Sequence, residues 1–103
     1  MRPRVLVEHA DPGSGAEVAR ALRHSGFAVA TCPGPSWLDP CPLLEGHDCP
    51  LITGADVVVS DLDGNPDAAS IVACVAERFP RTPLLLDVEP DEAAWVVSQA
   101  LSG

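Results

Sequence analysis

Three runs of consecutive aliphatic residues, Val5–Val7, Val57–Val59 and Leu84–Leu86, restrict the fold of this chain more than any other feature. A strand with one face in water alternates apolar and polar side chains. An unbroken run needs cover on both faces, the condition met in a parallel sheet between layers of helices. The segments between these runs read as helices. Ser14 followed by Glu17 has the spacing of a capping box, with Val18, Ala19 and Leu22 on one face, Arg20 and Arg23 on another, and Gly26 as the stop. Ala28 to Thr31 reads as a further strand. Asn65 and Pro66 form a cap and first-turn pair for a helix to about Phe79, with Ile71, Val75 and Phe79 at helical spacing, ended by Pro80 and Pro83. A last helix is expected from Asp91 to Leu101, bearing Trp95, Val97 and Leu101.

Strands alternating with helices at this spacing imply right-handed crossovers. The expected fold is therefore a three-layer α/β domain with a four-stranded parallel sheet of order 2-1-3-4 and helices on both faces. A long Cys/Pro-rich loop stands in place of the second helix. With 103 residues there is room for one core, so residues 1–103 are read as a single domain with an insert at 32–54. A hydrophobic content of 47% against 20% charged residues is that of a folded chain.

The formal charge of −9 comes from fifteen acids against six arginines and no lysine. Such a surface repels phosphate backbones and anionic headgroups, which argues against nucleic acid and membranes as partners and for another protein with a basic surface. Met1 to Val7 lacks the apolar stretch of a signal peptide, and no segment approaches the roughly 18 apolar residues of a membrane span. A cytoplasmic location is expected, where cysteines are thiols, metal ligands or redox groups more readily than structural disulfides.

In open parallel sheets ligands bind at the carboxyl ends of the strands. Those ends are Glu8, Asp61 with Asp63, and Asp87, with Asp11 close by. Carboxylates gathered at one edge repel unless a cation or shared proton relieves them, and Mg²⁺ needs only one or two carboxylates with water. An acidic pocket of Glu8, Asp11, Asp61, Asp63 and Asp87, holding Mg²⁺, is the functional reading. In the alternative, each acid is solvated or caps the helix that follows its strand.

The stretches VLVEHAD and ADVVVSDLDG resemble the opening and central strands of the receiver domains of bacterial response regulators. The resemblance implies that Asp61 is a phosphoacceptor and Glu8 one of the metal-holding acids. His9 stands where the family has a second acid, with Asp11 near enough to replace it. Asp87 and Val88 occupy the neighbourhood of the family's fourth-strand hydroxyl. The fifth strand and its lysine are missing, so the resemblance is to a degenerate receiver, one that binds partners without phosphorylation. DLDGN, Asp61 to Asn65, also resembles the DxDGT motif of haloacid-dehalogenase-type phosphatases, with Asn65 in place of threonine.

Residues Cys32 to Gly54 hold five of the eleven prolines, Pro33, Pro35, Pro40, Pro42 and Pro50, which argues for a shaped loop without regular helix. Trp37, Leu38, Leu43, Leu44 and Leu51 argue that it packs. CPLLEGHD, Cys41 to Asp48, is followed directly by CPLITGAD, Cys49 to Asp56, with five of eight positions identical. Two similar turns would present two thiols alike. A metal set of Cys32, Cys41, Cys49 and His47, for zinc or an iron–sulfur cluster, is chemically reasonable, although C-x₈-C-x₇-C lacks a tight C-x₂-C knuckle. A disulfide with one thiol left over, or small buried hydrophobes, stand beside it. Cys74 reads as a core residue.

His9 and His24 read as solvated imidazoles. Gly13 and Gly15 lie where a nucleotide phosphate binds in some α/β folds, but Glu8 and Asp11 would repel one. The leading expectation is a non-enzymatic, receiver-like regulatory or partner-binding domain. A metal or iron–sulfur module and a small aspartate-dependent phosphotransfer protein are the alternatives. A homodimer through the last helix, with Trp95 and Val96 outward, is left open.

Overall fold

The computed structural model describes residues 2–9, 12–32, 41–62 and 66–102, the side chains of residues 12–14 excepted. Its elements are β1 (Arg4–His9), α1 (Pro12–His24), β2 (Ala28–Cys32), a 3-10 turn (Pro42–Glu45), α2 (Pro50–Thr53), β3 (Val57–Asp61), α3 (Ala68–Arg78), β4 (Leu84–Leu86) and α4 (Ala93–Ser102). The four strands form a parallel sheet of order β2-β1-β3-β4. Fold class and strand order are those expected from the alternation of strands with helices.

The pleat divides the core in two. Val5, Val7, Val57 and Val59 face α1 and α4, packing on Val18, Leu22, Ala93 and Val97. Leu6 and Val58 face the other way, onto Leu43, Ile52, Ile71 and Val75. Val57, Val58 and Val59 are each at most 1% exposed. Consecutive burial of this kind is what the unbroken run required.

Helix ends follow local chemistry, with some shifts from expectation. α1 begins at Pro12, two residues before Ser14, because proline preorganises a first turn. Gly26 ends it at φ +96°, a left-handed conformation that lets the Phe27 amide donate to the Leu22 carbonyl at 3.1 Å. α3 starts at Ala68, not at the expected Pro66, with Asp67 at the N-cap position but no side-chain cap hydrogen bond, and Asn65 lies outside the described residues. On α4, Trp95 is 67% exposed, but Val96 packs against the first core cluster and not outward.

The insert departs most from the sequence reading. Its two repeats are two helical turns, Pro42–Glu45 and Pro50–Thr53, each with proline in its first position after an extended cysteine. Proline excludes a helix interior but not a helix start, and each segment is little more than a start. Replacing Leu22, fully buried between α1 and the sheet, by alanine is expected to cost about 2–5 kcal/mol, whereas Trp95→Ala should stay within about 0.5 kcal/mol. Urea unfolding of both variants measures the difference.

Candidate functional site at the carboxyl edge

Register decides which residues share a site. β1 pairs with β3 so that Glu8 lies opposite Ser60 and His9 opposite Asp61, while Glu8 lies opposite Cys32 on the other side. Successive side chains leave a strand on opposite faces. Glu8 and Ser60 therefore follow Leu6 and Val58 toward α3, and His9 and Asp61 follow Val7 and Val59 toward α1. The carboxylates expected to form one pocket are thus split across the sheet: Glu8 on one face, Asp61 on the other. Asp87 follows β4, exposed and at φ +55°, a left-handed conformation that aspartate tolerates better than most residues. Asp11 and Asp63 lie outside the described residues.

Glu8 is 5% exposed. Burial pushes its carboxyl above the usual glutamate range, partly offset by the hydroxyl of Ser60 donating to it. Its Oε1 has no hydrogen-bond partner among the described residues, and neither has the buried Nδ1 of His9. Unpaired buried polar atoms are uncommon, and here two fall on adjacent residues at the end of β1. This is also the place where β1 and β3 send their chains to opposite sides, the usual ligand position in open parallel sheets. His9 is half-buried, not solvated as its sequence position suggested. Gly15, within α1 and not in a phosphate-binding turn, lies against the His9 ring so closely that a Cβ there would overlap it.

Beside this edge an open pocket of about 370 Å³ lies between β3, β4 and the first turn of α3, lined by Ser60, Leu62, Val72, Leu86 and Asp87 among others. Ser60 was not singled out from sequence. Part of the signal was available in strict alternation: two residues beyond Val58, it had to face the same side as Val58.

The receiver resemblance implied a magnesium ion held by Glu8 and its neighbours. Glu8 does not fit that role among the described residues, since it is buried on the face away from Asp61 and bonded to Ser60. The cysteine set is likewise not assembled. Cys32, Cys41, Cys49 and Cys74 form no disulfide with one another, all lie in or against the second core cluster, and His47 is exposed. Among the described residues no group of three or more His, Cys, Asp or Glu side chains lies placed to hold a metal.

The repeats explain part of this. Cys41 and Cys49 have nearly the same extended backbone, φ −78° and ψ 124° against φ −91° and ψ 120°. Yet the first repeat buries Leu43, its third residue, and the second buries Ile52, its fourth. The turns are therefore rotated differently on the core, and Cys49 is buried where Cys41 is half-buried. Cys74 points its thiol at the Leu43 carbonyl at 3.8 Å. One helical turn on, Arg78 donates to Asp48 Oδ1 at 3.0 Å and to the Gly46 carbonyl at 2.8 Å, tying the first repeat to α3.

No family model and no curated protein sequence matches the chain. Among solved structures it is similar to the lactose-specific IIB component domain of the phosphoenolpyruvate:carbohydrate phosphotransferase system from Streptococcus pneumoniae. The TM-score is 0.52 and the identity 17%, over 99% of this chain and 93% of that one. At this identity the likeness is one of fold: a parallel, Rossmann-like α/β sheet. None of the described helices is long and apolar enough to cross a membrane.

A group whose folded pKa is raised adds stability that is complete below its unfolded pKa and lost as pH rises through the folded value. Glu8→Gln is therefore expected to leave stability nearly unchanged at pH 4 and to raise it by about 1 kcal/mol or more at pH 8, where the wild type buries a charge. Thermal unfolding across that range checks it; a constant offset would contradict the assignment.

Proposed function

We propose that this chain is a small regulatory, partner-binding domain related to phosphotransfer domains, which meets another protein through the carboxyl edge of its sheet. The observation that carries the reading is Asp61. It ends the central strand β3, half-buried, with His9 opposite it in the register. A carboxylate in that place is a phosphoryl acceptor of the kind the receiver resemblance implies, and the phosphotransferase-system domain named above offers a parallel in fold. His9 is the basic group that the register puts beside it, in a chain without lysine.

In this reading the transfer needs little from the chain itself. An Asp61 oxygen attacks the phosphorus of an acyl phosphate, the bond from phosphorus to the donor oxygen breaks, and the donor carboxylate leaves. With Glu8 turned to the other face, Glu8 holds no metal for the step. A charge of −9 selects donors and partners with basic surfaces by long-range attraction, an effect that weakens with salt.

Incubation with acetyl phosphate, with and without Mg²⁺, is expected to add one phosphoryl group by intact mass. Asp61→Asn should abolish it, and Asp91→Asn, on the exposed turn before α4, should not. No uptake, or uptake indifferent to Asp61→Asn, removes phosphotransfer and leaves partner binding alone.

A further inference from the structure

The pocket on the other face of the edge is not used by that reading. Among the described residues its polar lining is Ser60 and Asp87, its walls are Leu62, Val72 and Leu86, and no basic side chain lines it. Leu86 is 52% exposed, so apolar surface is left open beside a carboxylate. Behind Ser60 sits Glu8, 5% exposed, accepting the Ser60 hydroxyl proton on one side and carrying an Oε1 without a partner among the described residues. With its proton turned to Glu8, Ser60 offers the pocket an acceptor. The first turn of α3 brings about half a positive charge. Against it stands the carboxylate of Asp87 in the lining. An anion is disfavoured there, and a donor-rich cation is favoured.

We propose that this pocket binds an alkylammonium group, which docks on Asp87 and Ser60 and lays a short aliphatic stem along Leu62, Val72 and Leu86. A cavity of about 370 Å³ lies within the usual range for small-ligand sites, apolar walls with a few convergent polar groups being their common composition. The same chemistry is carried by a free small amine and by a lysine side chain of a docked protein, whose methylene stem packs on apolar surface while its head stays paired.

The test is titration of the whole ¹⁵N-labelled chain with n-butylamine and with N-acetyl-lysine-methylamide at constant ionic strength, with butyrate and n-butanol as controls. Saturable shifts at the Ser60, Ala69 and Leu86 amides are expected for a cation and not for the controls. Asp87→Asn, which suits the left-handed position and so preserves the fold, should weaken binding at least tenfold. Ala69→Leu, at an exposed helical position lining the pocket, should block it by filling the space. Binding of both cations points to a lysine side chain as a natural occupant, and binding of butylamine alone to a free amine. Shifts that do not saturate, that butyrate or butanol reproduce, or that Asp87→Asn and Ala69→Leu leave intact overturn the proposal.

Discussion

Val57, Val58 and Val59 lose almost all contact with water at three consecutive positions of one strand, and the rest of the molecule is arranged to allow it. A strand can do this only with apolar layers on both faces. α1 and α4 supply one layer, α3 and the two proline-led turns the other. Because the pleat alternates, that double cover also sorts the residues beyond the valines. Ser60 continues the face of Val58, and Asp61 the face of Val59. The functional edge is thus two half-sites back to back: a buried glutamate–serine pair beside a pocket, and a histidine–aspartate pair beside α1.

This sorting explains why the sheet was legible in the sequence and the site only in part. Apolar runs at Val5–Val7, Val57–Val59 and Leu84–Leu86 gave strands as local signals, and their alternation with helices gave the parallel direction and the doubly wound order. That Glu8, Asp61 and Asp87 end strands was equally visible. Which face each takes depends on register, and a one-residue difference reverses it. Reading Glu8 and Asp61 as neighbours overlooked that Glu8 is level with Ser60 and His9 with Asp61. The approach of Gly15 to His9 is a tertiary contact with no local signature.

The cysteine repeat marks a different limit. Identical residues at five of eight positions gave two turns with matching N-caps, as repetition should, although Gly46 ends the first in a left-handed conformation and Gly54 the second in a right-handed one. They did not give matching thiol environments, because each turn rotates to bury whichever aliphatic residue fits the core: Leu43 in one, Ile52 in the other. Pairing of Arg78 with Asp48 and Gly46 then fixes the first turn along α3. An exposed ion pair of this kind contributes about 1 kcal/mol at most, so its effect is on placement more than on stability.

The account rests on the alignment of β1 with β3. Backbone NOEs in a uniformly labelled sample measure it directly, through the cross-strand contacts between amide and α protons that a parallel ladder places at fixed positions. Cross-peaks that set Glu8 level with Ser60 and His9 level with Asp61 are the predicted result. A ladder displaced by one residue, with Glu8 level with Asp61, would bring the two carboxylates onto one face and contradict both half-sites together.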